Sequence, residues 1–169
     1  MRRLILFRHA KALPRAAGQG DADRRLAPRG REDALVIAKV LVREKLVPDL
    51  ALVSSAARTL ETWACVQPLF PKARLESLDA LYNATAEEIL AEAQAHGEAA
   101  DTVVVIGHNP GLHELAVNLL EDGGAPAWQV ERMDTRFPTS TAAAFLIDGA
   151  GRATFDGLFL ASEHGGEGE

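Results

Sequence analysis

Apolar runs and helical stripes alternate along this chain. RLILF (3–7) is a short, wholly apolar run, PDLALVSS (48–55) is a second that begins at a proline, and DTVVVIGH (101–108) is the strongest of all. Short continuous apolar runs predict strands buried on both faces. ARLESLDALY (73–82) reads as a weaker strand, and TAAAFLID (141–148) and RATFDGLFL (152–160) read as a hairpin around the Gly149 to Gly151 turn. Between the strands lie helical patterns. Pro28 suits the first turn of a helix whose stripe runs through Leu35, Ala38, Val42 and Leu46. The segment 55–71 predicts a helix capped near Ser54 or Ser55 and closed by Pro68. Thr85 with Glu88 forms a capping box for 85–96, with Gly97 as its stop, and 109–122 is a helix with Pro110 at its start. Residues 10–27 read as loop, and the polar, Gly-rich tail 162–169 as disordered.

This alternation predicts a single α/β domain over 1–161, a three-layer α/β/α sandwich with a mostly parallel central sheet. The length of 169 residues and 47% apolar content suit one core of that size. Cys65 is the only cysteine, so no internal disulfide forms and a reducing compartment is expected. No twenty-residue apolar span exists and the N-terminal run is too short for a secretory signal, so the expectation is a cytoplasmic protein without membrane contact.

Charge adds a local feature. Residues 1–45 hold 12 Lys/Arg against 5 Asp/Glu and the remainder 6 against 19, so a segment of about +7 precedes a body of about −13. An acidic body argues against a nucleic-acid partner, whose footprint is a broad basic face, and a small cationic patch suits a small anion. A solvated face with scattered ion pairs remains the plain alternative on charge alone.

In a mostly parallel sheet, ligands bind beyond the carboxyl ends of the strands. Arg8 and His9 end the first strand, Ser54, Ser55 and Arg58 follow the second, and Gly107, His108 and Asn109 end the strongest. Two arginines and two histidines, distant in sequence, therefore converge on one crevice. Guanidinium recognises phosphoryl oxygens in a planar, bidentate way, and a neutral imidazole nitrogen is a nucleophile able to carry a phosphoryl group. Rival chemistries fail on spacing. Position 71, six after Cys65, is Pro rather than the Arg of a cysteine phosphatase, no Walker A sequence is present, and His108 and His113 are five apart, which does not give a zinc pair. Trp63 and Trp128 read as packing residues, and Cys65 as core.

These segments resemble the histidine phosphatase superfamily, the phosphoglycerate-mutase-like proteins. LILFRHAKA is similar to its Arg-His signature, VVVIGHNPGL to its second-histidine motif, LVSSAARTLETW to the intervening Arg-Thr segment, and DADRRLAPRGRED to the approach to the first helix. RHAK, DALYNAT and the short length are most similar to SixA-type phosphohistidine phosphatases. The resemblance implies a phosphoglycerate-mutase-like fold and a phosphatase in which His9 is the nucleophile and transient phosphohistidine. It also implies that Arg8, Arg58 and His108 hold the phosphoryl oxygens; Lys11, in the same cationic cluster, is a further candidate phosphate contact. No cofactor and no metal are expected, because guanidiniums take the place of Mg²⁺, and the expected partner is a phosphorylated substrate, including a phosphohistidine-bearing protein. One departure from the wider family concerns the carboxylic acid that protonates an alcohol leaving group. Asp79 is the nearest candidate, with Glu76 earlier on the strand and Asp21 or Asp23 on the loop as further possibilities. The alternatives to a phosphohistidine phosphatase are a small-molecule phosphomonoesterase of the same superfamily and a catalytically idle domain that binds a phospho-ligand.

Overall fold

In the computed structural model, which describes residues 1–168, a six-stranded sheet is built from β1 (Arg3–Arg8), β2 (Leu50–Ser54), β3 (Arg74–Leu78), β4 (Thr102–Gly107), β5 (Thr141–Ile147) and β6 (Ala153–Leu160). Their order is β3-β2-β4-β1-β5-β6. The first four are mutually parallel, β5 runs antiparallel to β1, and β6 pairs antiparallel with β5. The helices are α1 (Pro28–Arg43), α2 (Ala57–Val66), α3 (Ala86–Gly97), α4 (Gly111–Asp122) and α5 (Ala127–Thr135). The predicted α/β architecture with a mostly parallel sheet is therefore present.

Alternate strand residues feed two separate cores, as the two-residue period of a strand requires. On one face Ile5, Phe7, Ala51, Val53, Val104 and Ile106 pack with α1 and α2. On the other, Leu4, Leu6, Leu50, Leu52, Val103 and Val105 pack with α3, α4 and α5. Every residue of β2 and β4 is buried, which explains why these strands read as unbroken apolar runs.

Several details differ from the sequence reading. The buried face of α1 runs through Ala34, Ile37, Ala38 and Leu41, whereas Leu35 is half-buried and Val42 exposed, so the helix is turned from the predicted stripe. The N-cap of α2 is Ala56, which supplies no side-chain bond, because Ser54 is still in β2. Helix α5, in a stretch given no element, buries only Met133, and one apolar contact point leaves no helical period to detect. Trp63 is buried and stacked on Phe70, but Trp128 is 61% exposed and packs nothing away. Cys65 is only half-buried on α2.

The tail is also ordered where composition suggested disorder. After a 3-10 turn at Ala161–Glu163, the chain returns to α1, where Glu167 N–H and Gly168 N–H donate to the two carboxylate oxygens of buried Asp33 at 3.0 and 3.3 Å. A buried carboxylate needs donors, and the tail backbone supplies them. Glu169, the last residue of that expectation, lies outside the described residues.

Two glycines set the close approaches that shape the crevice. A Cβ on Gly30 would lie 2.2 Å from the Lys11 carbonyl oxygen, so only glycine lets the start of α1 press against the loop after β1. A Cβ on Gly111 would lie 2.0 Å from the Ala84 carbonyl oxygen, at the start of α4.

Candidate active site

Parallel pairing in register places Arg8 opposite Gly107 and brings Ser54 to the same edge of the sheet. The residues that follow these strand ends therefore meet. A cavity of about 170 Å³ opens there, walled by Arg8, His9, Lys11, Arg58, His108 and Asn109 and completed by Ala12, Arg24, Asn83 and Thr139. A larger cavity of about 670 Å³ lies between Met1, Leu90, Leu119 and the β5–β6 turn, but it gathers no histidine and so offers none of this chemistry. All four convergent residues of the sequence reading, Arg8, His9, Arg58 and His108, share the smaller cavity, and Lys11 joins them. Asp79 does not. It lies exposed in the 3-10 turn after β3, and no carboxylate lines the cavity among the described residues.

His9 is 9% exposed. Its Nδ1 lies 2.8 Å from the Ala10 carbonyl oxygen, which can only accept, so Nδ1 carries the hydrogen and Nε2 keeps its lone pair. Arg58 Nε–H then donates to that Nε2 at 3.3 Å. Burial above all, with His108, Arg58 and Arg8 adding repulsion, pushes His9 down to about 3 against the opposing Ala10 bond. The backbone around it is fixed: His9 N–H donates to the Gly107 carbonyl, Ser140 N–H to the His9 carbonyl, and Ala10 N–H to Thr62 Oγ1 on α2.

His108 stands beside it, ring centroids 5.2 Å apart, with the edge of Tyr82 at 5.5 Å on another side. Its Nε2 is 2.8 Å from Ser54 Oγ, and its Nδ1 is buried without a hydrogen-bond partner among the described residues. Burial, then Arg58 and Arg8, lowers it to about 4, with Asp21 opposing. Both imidazoles are thus neutral at neutral pH.

Each arginine is held by named acceptors. Arg8 Nη1 donates to the Phe137 carbonyl at 2.9 Å, and Asn109 Nδ2 donates to the same oxygen at 2.9 Å, tying the ends of β1 and β4 to the segment after α5. Arg58 is 5% exposed, and its Nη1 and Nη2 donate to the carbonyl and carboxylate of Asp21 at 2.8 and 3.0 Å. Tyr82 OH donates to the same carboxylate oxygen at 2.9 Å. That hydroxyl first, with Arg24 and Arg58, holds the Asp21 carboxyl down to about 2 against desolvation. Asp21 is therefore an anion at neutral pH and no proton donor, contrary to the loop-acid possibility.

Sequence reasoning missed several partners. Ser54 and Asn109 lay within the motifs, but nothing in residue type marks Ser54 as a histidine partner rather than a helix cap. Tyr82 sat in DALYNAT without an assigned role. The Phe137 carbonyl has no signature at all, since any residue could supply it.

In chemical terms the cavity holds an unprotonated nucleophilic nitrogen, a second neutral imidazole, three guanidiniums and a lysine around a space with room for a tetrahedral oxyanion. Comparisons with known proteins point the same way. Residues 4–83 match the family model described as histidine phosphatase superfamily, branch 1. An uncharacterised protein of Mycobacterium tuberculosis (strain H37Rv) is 34% identical over 144 residues, covering 85% of this chain and 88% of that one. A crystal structure from Agrobacterium tumefaciens, assigned as a phosphohistidine phosphatase SixA, superposes with a TM-score of 0.81 at 29% identity, covering 94% of this chain and 97% of that chain. A protein histidine phosphatase SixA complexed with tungstate gives 0.77 at 25% identity, over 95% and 98% of the two chains. With the fold, the matched motifs and these relatives in agreement, the chain belongs to the histidine phosphatase superfamily.

Proposed function

We propose that this protein is a phosphohistidine phosphatase of SixA type that works through a covalent phosphohistidine on His9. The single observation that carries the reading is the tautomer of His9: the Ala10 carbonyl fixes the hydrogen on Nδ1 and leaves the lone pair on Nε2, in the cavity of cations, engaged by the long 3.3 Å contact from Arg58 Nε–H that attack on phosphorus replaces. A domain that only bound a phospho-ligand would gain nothing from a buried neutral nucleophile.

Nε2 attacks the phosphorus in line with the departing group. The new P–N bond forms as the bond to the leaving group breaks, and the substrate imidazole departs with the proton of its protonated phosphoramidate as a neutral base. Water then attacks phospho-His9, giving inorganic phosphate and restoring the imidazole. Arg8, Arg58 and Lys11 face the phosphoryl oxygens as fixed positive charge, the contribution that dominates phosphoryl transfer. In this reading Ser54 O–H donates to His108 Nε2 and the His108 hydrogen stands on Nδ1, a nitrogen with no partner among the described residues, as a donor to a phosphoryl oxygen. A related SixA that takes up tungstate, itself a tetrahedral oxyanion, supports the same use of the cavity.

No step calls for a metal, because the guanidiniums supply the charge. The substrate class follows from the missing acid: with no carboxylate lining the cavity among the described residues, a leaving group that departs without a donated proton is favoured. A small-molecule phosphomonoesterase is the second reading, and it requires a proton donor such as Asp79 to reach the cavity. The test compares a phosphohistidine protein with alkyl phosphate esters. Phosphohistidine and activated aryl phosphates should turn over faster by ~10²–10⁴, the worth of a general acid. Rapid quench with labelled substrate should trap an acid-labile, base-stable adduct that His9→Ala lacks. Efficient hydrolysis of alkyl phosphates, abolished by Asp79→Asn, would instead select the second reading.

A further inference from the structure

Asp21 is the one carboxylate bonded to the cationic machinery of the cavity among the described residues, and the reaction derived above gives it nothing to do. Three segments of chain meet on it: the loop after β1 that carries it, Arg58 on α2, and Tyr82 just after β3. We propose that Asp21 is a positioning residue, which grips the outer edge of the Arg58 guanidinium and is itself anchored by Tyr82, so that the guanidinium is held beside His9 with its uncommitted N–H groups directed at the phosphoryl oxygens.

The geometry carries this. Arg58 Nη1 bonds to the Asp21 carbonyl and Nη2 to its carboxylate, at 2.8 and 3.0 Å, so one residue spans both terminal nitrogens and fixes the guanidinium plane. The inner nitrogen keeps the guanidinium next to the nucleophile through a long 3.3 Å contact that gives way as Nε2 engages phosphorus. One N–H on each terminal nitrogen stays uncommitted and is held in a set direction for phosphoryl oxygens. Without the grip, Arg58 keeps its charge but loses its orientation. Tyr82 completes the arrangement, since the same carboxylate oxygen accepts from both Tyr82 OH and Arg58 Nη2. The Arg58 guanidinium also lies 6.0 Å from the centre of the Tyr82 ring.

A second consequence separates positioning from mere support. The Asp21 anion partly offsets the positive charge of Arg58 and repels an incoming phosphoryl dianion. Its removal should therefore weaken catalysis while leaving ground-state anion binding equal or stronger. A residue that only held the loop in place would lower both together. Asp21 itself is 43% exposed in its side chain and sits in a short 3-10 turn outside both cores, so its replacement should leave the fold intact.

This inference rests on the phosphatase reading, and the experiment keeps the two apart. Turnover of an activated aryl phosphate and binding of inorganic phosphate are measured for wild type, His9→Ala, Asp21→Ala, Asp21→Asn, Tyr82→Phe and Asp21→Ala/Tyr82→Phe. Asp21→Ala should lower kcat by ~10–10²-fold, the scale of a small misplacement at a reacting centre, with inorganic phosphate bound at least as tightly as by wild type. Asp21→Asn, which keeps an acceptor oxygen, should recover most of kcat. Tyr82→Phe should cause a smaller loss in kcat, and the double variant should be no worse than Asp21→Ala, because Tyr82 acts through Asp21. Normal kcat in Asp21→Ala, a parallel loss of kcat and phosphate binding, or additive losses in the double variant would each overturn the assignment. Undiminished turnover by His9→Ala would instead strike the phosphatase reading itself.

Discussion

Because the fold holds both site histidines neutral, mild acid should loosen the whole protein. His9 stands at about 3 and His108 at about 4, each lowered chiefly by burial, while an unfolded imidazole takes up its proton near ~6.5. Between these values the unfolded chain binds more protons than the folded one, so stability falls as pH drops below ~6.5 and keeps falling until the folded values are reached. Moving from pH ~7.5 to ~5 should cost about 2 kcal/mol for each histidine and about 4 kcal/mol for the pair. The figure depends almost wholly on the unfolded value, since both folded values lie below 5. It is a large part of the ~5–15 kcal/mol that a domain usually has. Asp21 adds nothing in this window: its folded value of about 2 lies below the ordinary 3.8, so the stability it contributes is complete above that ordinary value and is lost only as pH falls through about 2. The assay is urea unfolding in phosphate-free buffer across this range, for wild type, His9→Asn and His108→Asn. Each variant should lose about half of the wild-type pH dependence, and ring ¹⁵N shifts should report neutral imidazoles at pH ~5. A wild-type midpoint that stays flat from pH ~7.5 to ~5, or variants with an unchanged slope, would refute the reasoning.

Two further outcomes follow from the same geometry. Arg58→Ala and His108→Ala should each slow turnover by ~10²–10³, the usual loss for one fixed donor to a developing charge, measured as kcat on an aryl phosphate with the melting transition retained as the control for folding. Exhaustive treatment with EDTA should leave activity unchanged, because Arg8, Arg58 and Lys11 supply the positive charge; loss that Mg²⁺ or Zn²⁺ restores would place the chemistry on a metal.

What was legible in the sequence was what depends on strand ends. The apolar runs at 3–7, 48–55 and 101–108 locate β1, β2 and β4, and a parallel sheet has a single carboxyl edge, so Arg8, His9, Arg58 and His108 had to converge. Features set by one contact or one turn of helix were not legible. Whether α1 presents Ala34 or Leu35 to the sheet is a rotation of one residue, decided by the close approach of Gly30 to the Lys11 carbonyl rather than by the larger side chain. Ser54 looks like a helix cap until the sheet register shows that it ends β2 facing His108. The tail 162–168 has the composition of a flexible segment, and only the burial of Asp33, 134 residues before Glu167 in sequence but adjacent in space, gives its backbone a partner.

The lack of a carboxylate lining the cavity among the described residues and the presence of Asp21 just behind it are two sides of a single arrangement. Asp79, the residue closest in sequence to where an acid would stand, is exposed, and the position that reaches the cavity wall from the same segment is the neutral Asn83. Asp21, which does approach, is bound by Tyr82, Arg24 and Arg58 and held ionised. Under the proposed function, the site therefore stabilises charge on the phosphoryl group without offering a proton to whatever leaves. An alkoxide needs that proton in the transition state, so alkyl esters meet a barrier that the arginines alone do not remove. The imidazole of a protonated phosphoramidate brings its own. Under the proposed function, discrimination among substrates thus comes from the leaving group as much as from shape, and a cavity of about 170 Å³ takes the phosphoryl group and part of its leaving group while the body of a protein substrate stays outside it.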